Sequence, residues 1–370
     1  MDKILSEKFI KIISLFAVIL TVILVFISTI NLPDENFIFS SKSLKENKNK
    51  LANNEAINNL PILNENENIK FLFFGDLMLD RHVGEKIKEK GLDYVFKNLE
   101  NSGIFNNHDL IGANLEGAVT NKGAHYPPNM SYDFAFSPEL IKELKKYNFN
   151  FFNIANNHLS DQGEKGIEET NSNLFELGYN FSGCRDAKVG DCSSTIVDIN
   201  NKKVAFVGFS QVYANLDQEK IKSIINNLKD ISDIIIVNIH WGLEYDHKFN
   251  KKQQQLGRIL VDNGADIVIG HHPHVVQGME IYNGKPIFYS LGNFVFDQYF
   301  SQDTQEGLAL EINILDSKNE ITFIPLKSSL SQVSIVLDQE KEKFLKKYLN
   351  WSEVDDSLSE VINNGKIILN

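Results

Sequence analysis

The chain has 370 residues, 42% of them hydrophobic and 23% charged, a composition that suits a globular protein of one large or two ordinary domains. Its 37 basic against 49 acidic side chains give a formal net charge of -12, which disfavours nucleic acid or an anionic membrane surface as the main partner. The two cysteines, Cys184 and Cys192, are too few for a zinc site; they either pair or stay idle, and pairing over so short a loop requires an oxidising compartment.

In chain order, the first feature is an uncharged stretch from Ile12 to Pro33, in which Ile12 to Ile30 is almost purely Ile, Leu, Val and Phe. An apolar run of about 19 residues spans a bilayer, and no small-x-small cleavage site follows it, so residues 1–33 read as a cytoplasmic end and an uncleaved signal anchor. Lys3, Lys8 and Lys11 precede the span while Asp34 and Glu35 follow it, which places the amino terminus in the cytoplasm and the remainder outside. Residues 34–68, rich in Asn, Glu, Lys and Ser, read as a flexible linker.

The globular body is expected over residues 69–328. Its opening run, Ile69 to Gly75, ends on Asp76. A second apolar segment closes on Asn114 and Glu116, a third leads into Asn156-Asn157-His158, and a fourth, Ile234 to Ile239, leads into His240. A fifth, Asp266 to Ile269, runs into Gly270-His271-His272-Pro273-His274. Helical patterns lie between them at Pro138–Tyr147, Glu164–Leu177, Asp217–Leu228 and Asn250–Asp262, so strands alternate with helices and the class is α/β. Hairpins are expected around Asn200-Asn201 and Asn283-Gly284, with a third joining Leu308–Leu315 to Ile321–Leu326. Antiparallel hairpins added to alternating units imply a mixed sheet or two stacked sheets. The tail, residues 329–370, reads as amphipathic helix packing on the body or on a partner.

In an α/β sheet, ligands bind beyond the carboxyl ends of the strands. Asp and Glu oxygens, an Asn carbonyl and several imidazoles delivered there form a mixed O/N donor set suited to Mn, Zn or Fe, and too rich in nitrogen for a calcium or magnesium cage. His271 is expected to point away from His272 in an extended loop and is left out of the set.

Six ordered motifs, Asp76 in GDLMLDR, Asn114 to Gly117, Asn156 to Gly163, His240 to Tyr245, Gly270 to Gln277 and Tyr289 to Phe294, resemble the bacterial capsule-synthesis (CapA, also PgsA) family over about Ile69 to Leu326. That family is similar to calcineurin-like metallophosphoesterases. The resemblance implies a four-layer α-β-β-α sandwich with one or two divalent ions between strand ends, preceded here by one transmembrane helix. It also implies Asp76, Glu116, Asn157, His240, His272 and His274 as metal ligands and His158 as the general acid. The chain departs from the superfamily at Met78, where the pattern Asp-x-His calls for an imidazole, and Glu116 stands where Asp is usual. A thioether is a poor ligand for hard divalent ions.

The implied role is formation or export of an anionic surface polymer, poly-γ-glutamate in the family, by a membrane-anchored protein whose partners include the membrane, the polymer and other capsule-synthesis membrane subunits. Three activities fit the same cleft: metal-dependent hydrolysis of an amide or ester link in the polymer, non-catalytic polymer binding or assembly, and phosphoester hydrolysis.

Overall fold

A computed structural model of the chain describes residues 68–315 and 318–369. The expected membrane anchor and all but the last residue of the linker lie outside the described residues. Among the described residues, no helix is long and apolar enough to cross a membrane.

The body opens with β1 (Ile69–Leu77), α1 (Arg81–Lys90), α2 (Asp93–Ser102), β2 (Leu110–Leu115), β3 (Ala118–Val119), β4 (Ala135–Phe136), α3 (Pro138–Glu143), β5 (Phe149–Asn153), α4 (Gly163–Glu176) and β6 (Asn180–Ser182). It continues through β7 (Ser194–Ile199), β8 (Lys202–Gln211), α5 (Gln218–Lys229), β9 (Ile234–Trp241), α6 (Lys251–Asp262), β10 (Ile267–His271), β11 (Val276–Tyr282), β12 (Lys285–Leu291) and β13 (Asn293–Val295). It closes with β14 (Glu306–Ile314), β15 (Asn319–Ser329), β16 (Gln332–Ile335), α7 (Asp338–Trp351), α8 (Asp356–Asn363) and β17 (Lys366–Leu369).

The fold is mixed α/β with several sheets. One large sheet runs β16-β15-β14-β1-β2-β5-β6, with β13 added to β1 and β17 to β15; a second runs β11-β12-β10-β9-β8-β7. Side chains alternate between the faces of a strand, and here both faces are apolar because both are covered. Phe71 and Phe73 of β1, Leu110 of β2 and Phe151 of β5 enter one core with Phe206, Ile236, Ile267 and Ile269 of the second sheet. The rings of Phe151 and Phe206 lie 4.6 Å apart between centroids. The intervening residues Leu72, Phe74, Ile111 and Phe152 face the other way, into a core with Phe96 of α2, Ile141 of α3 and Leu174 of α4. On the far side of the second sheet, Ile235, Val237 and Ile239 pack against Ile221 and Ile225 of α5 and Leu260 of α6.

Local chemistry fixes the connections. Asp217 caps α5 by accepting from the amides of Glu219 and Lys220, and Asn250 with Gln253 forms a reciprocal capping box on α6. The Asn283-Gly284 turn has positive φ at both residues, 49° and 77°, as a two-residue turn matching strand twist requires. In the tail, Phe344, Leu345 and Tyr348 of α7 join the core between the sheets. The last residues of the tail add β17 to β15. The cysteines are paired, Cys184 to Cys192, with 5.2 Å between their Cα atoms.

Candidate metal centre

Strand parity decides which side chains enter the space between the sheets. On β2 and β5, Asn114 and Asn153 follow the inward-facing Leu110 and Phe151 by even steps, and on β9 Asn238 and His240 follow Ile236 in the same way. On β1 the same count would turn Asp76 outward. An irregularity in the β1–β2 register between Phe73 and Asp76 re-aims it, the usual effect of a bulge beside a functional site. Gly75 permits this: a Cβ there would lie 1.9 Å from the carbonyl oxygen of Gly292, which also accepts the Asp76 amide at 3.0 Å. Beyond β10, His272 and His274 have φ of 97° and 59°, sparsely populated for residues other than glycine, in the segment that turns their rings toward the cluster.

All seven residues singled out in the sequence converge. His240 Nε2 lies 2.8 Å from Asn157 Oδ1 and 3.1 Å from His272 Nδ1. His274 Nδ1 lies 3.3 Å from Asp76 Oδ2, and its Nε2 lies 3.7 Å from Glu116 Oε1. Donor atoms of Asp76, Glu116 and His240 fall within 4.8 Å of one another, as do those of Glu244, His272 and His274. His158 stands at the edge, its Nδ1 2.8 Å from Asp161 Oδ2 and its Nε2 3.7 Å from Glu116 Oε1. The His158 ring packs on Phe134 with centroids 4.3 Å apart.

An amide holds the carboxylates together. Asn114 Nδ2 donates to Asp76 Oδ1 at 2.8 Å and to Glu116 Oε2 at 3.2 Å, while its Oδ1 accepts from Asn153 Nδ2 at 2.8 Å. Asn293 Oδ1 accepts from His274 Nδ1 at 3.1 Å, which leaves His274 Nε2 bare toward Glu116. Glu116 Oε1 is buried and has no hydrogen-bond partner among the described residues. A buried unpaired carboxylate oxygen facing a bare imidazole nitrogen is a costly arrangement for protein atoms alone, and a fitting one for a divalent cation.

The electrostatics point the same way. Burial, then the neighbouring Asp76 and Asp161 carboxylates, push Glu116 well above its ordinary range. Burial would raise Asp76 too, but the His274 hydrogen bond and charge, with His271 and Asn114, bring it below the usual value. Burial and neighbouring imidazoles hold His240 well below 6.5; burial opposed by Asp76 puts His271 at about 4; burial and His274 put His272 at about 3. Neutral imidazoles are the form that binds metal.

Met78, the point of departure in the sequence, is fully buried in the core shared with the first helices, and its sulfur accepts the Asp80 amide at 3.1 Å. Tyr132, Tyr213, Tyr245 and Phe300 are exposed. Tyr213 accepts from Asn157 Nδ2 through its hydroxyl at 3.3 Å, and the Tyr245 ring lies tilted near His274 with centroids 6.2 Å apart, so these two rings border the cluster. The sequence reading had not placed His271, Asn153 or Asn238 here, although the parity of β5, β9 and β10 carries all three inward.

A family model described as "Bacterial capsule synthesis protein PGA_cap" matches residues 70–298. The chain is 32% identical over 332 residues to the "Capsule biosynthesis protein CapA" of Bacillus anthracis, covering 82% of this chain and 80% of that protein. It is 34% identical over 302 residues to the "PGA biosynthesis protein CapA" of Bacillus subtilis (strain 168), covering 73% and 77%.

Proposed function

Because the chain belongs to the family of bacterial capsule synthesis proteins, we propose that it serves the formation or export of an anionic surface polymer, poly-γ-glutamate, as a metal-dependent hydrolase of an amide or ester link in that polymer. The observation that carries the hydrolytic reading is His158. A module that only binds has no need of an imidazole whose Nδ1 is fixed by a carboxylate at 2.8 Å and whose Nε2 is presented to the ligand cluster.

In this reading Asn157, His240 and His272 would hold one cation, and Asp76, Glu116 and His274 would hold a second. A divalent cation in that position supplies Lewis-acid polarisation of a carbonyl or phosphoryl oxygen. The chain's own residues do the rest. Asn114 keeps the two carboxylates together, Asn293 orients the His274 ring, and Asp161 accepts from His158 Nδ1–H, so that in the protonated ring the proton on Nε2 passes to the leaving amine or alkoxide and the ring is left neutral. The exposed aromatic rim supplies contact area for an extended chain. Since the cleft carries Asp76, Glu116, Asp161 and Glu244, capture of a polycarboxylate depends on the cation to offset their charge.

The arrangement of two sheets with helices on their outer faces supports a metallophosphoesterase-type α-β-β-α sandwich. The apolar run at 12–30 and the Cys184–Cys192 bond both support a body held outside the cytoplasmic membrane. The thioether of Met78 favours a second reading, a polymer-binding or assembly subunit with a weak first cation site.

The test incubates the full-length, Mn-loaded protein with γ-glutamyl polymer and, separately, with a phosphodiester. Polymer fragments are expected, suppressed by chelation and reduced about 100-fold or more in His158→Ala at unchanged metal content. Polymer that is bound but never shortened establishes the second reading instead.

A further inference from the structure

We propose that His271 is a direct ligand of the cation beside Asp76 and supplies the imidazole that Met78 does not. The inference rests on the metal-centre reading above. His271 ends β10 and follows Ile267 and Ile269 by even steps, so its ring enters the space between the sheets, where it is 1% exposed. Its Nε2 lies 3.3 Å from Asn238 Oδ1 on the adjacent strand. An amide oxygen only accepts, so Nε2 carries the ring proton and Nδ1 is left as a bare lone pair.

That Nδ1 is buried and has no hydrogen-bond partner among the described residues. It faces Asp76 Oδ1, 3.7 Å away, an oxygen that already accepts from Asn114 Nδ2. A buried acceptor facing another acceptor leaves His271 Nδ1 desolvated and unsatisfied, at about 1–3 kcal/mol. The gap exceeds the roughly 3.2 Å limit of a good N–H···O hydrogen bond. It suits a single ion between them, since two coordination bonds of about 2.0–2.2 Å reach across such a distance at an open angle. Asn238 then has the supporting part that acceptors on the far ring nitrogen play around metals: it fixes the tautomer and aims the lone pair.

The consequence is a first cation position served by Asp76, His271 and His274 with Glu116 between the two positions, so that the thioether at Met78 costs the centre no imidazole. Full-length protein is stripped with chelator and titrated calorimetrically with Mn(II), then with Co(II) while its visible absorption is followed. His271→Leu keeps an apolar group of similar bulk and removes the lone pair; Asn238→Leu leaves the imidazole in place and removes the acceptor that orients it. Each is expected to weaken one bound equivalent at least tenfold and to change the Co(II) bands, while the equivalent held by Asn157, His240 and His272 stays. Should His271→Leu fail to fold, Asn238→Leu decides alone. Wild-type protein that binds cation with affinities and bands unaltered in the folded variants overturns the role of His271 and leaves the metal centre standing. Wild-type protein that binds no cation overturns both.

Discussion

Acid unfolding of the metal-stripped protein gives the sharpest test of the buried imidazoles. His240, His271 and His272 are held below 6.5 by burial, the last two at about 4 and about 3. A group whose folded value is depressed contributes stability that is present above its unfolded value and lost as pH falls toward the folded one. The window is therefore from about 6.5 down to about 4. Glu116 acts in the opposite sense, because its folded value is raised: its contribution is present below 4.5 and lost as pH rises. Near pH 5 the unfolded chain has taken up about two protons on His271 and His272 that the native state refuses; His240 acts in the same sense and Glu116 in the opposite one. The two protons on His271 and His272 correspond to a slope of about 2.7 kcal/mol per pH unit. Against a typical total of 5–15 kcal/mol, a fall from pH 6.5 to pH 5 removes a large share. Urea unfolding of chelated protein at half-unit intervals measures the slope, and His240→Leu should flatten it. Stability that is level between pH 6.5 and pH 5, or a slope untouched by His240→Leu, would refute the reasoning.

Other outcomes follow from single features. His240→Ala and His272→Ala each remove one donor from a set of about four and should lower bound metal in elemental analysis; unchanged stoichiometry in both dismisses the centre. Gly75→Ala places a methyl against the Gly292 carbonyl and should cost about 1–3 kcal/mol and displace Asp76, read as a lower urea midpoint together with weaker Mn binding. In unfolded, non-reduced protein, Cys184 and Cys192 should resist alkylation, and two labelled thiols would count against the bond. Protease added to cells with a permeabilised outer layer should remove the body while cytoplasmic markers survive; protection of both reverses the proposed orientation.

Much of this arrangement was legible from strand ends and turns. Apolar runs that stop on Asp76, Glu116, His240 and His272 announce their position because a chain leaving a buried strand must bring its next polar side chains to the crevice. The Asn-Gly turn and the capped helices declare themselves by residue chemistry alone. What escaped depends on geometry that is not local. His271 was set aside on the premise of an extended loop, whereas β10 continues through it and the chain turns only at His272, where φ is 97°. Asn153 and Asn238 look like ordinary turn or strand residues until the two sheets are stacked, and although the hairpin of β14 with β15 is legible, no periodicity announces that β14 will join β1 or that β17 will join β15. Helices α1 and α2, which follow the first motif, lie outside the four stretches with an expected helical pattern. The final strand, β17, is four residues long and follows directly on a helix.

The donor atoms are divided between two sheets that each have their own hydrogen-bond ladder. Asp76, Glu116 and Asn157 come from the β1, β2 and β5 side; His240, His271, His272 and His274 come from β9 and β10. The sheets meet through side chains such as Phe71, Phe151, Phe206 and Ile269, and they are tied where β12 runs through Gly292 into β13 of the other sheet and the Gly292 carbonyl accepts the Asp76 amide. A small shift of one sheet against the other would leave far-ultraviolet dichroism nearly unmoved, yet would draw imidazoles and carboxylates apart. A cation held there would thus report how the two halves stack, and a variant that keeps its secondary structure while losing metal affinity, without a substitution near the cluster, is to be sought among the residues that set how the sheets lie on one another.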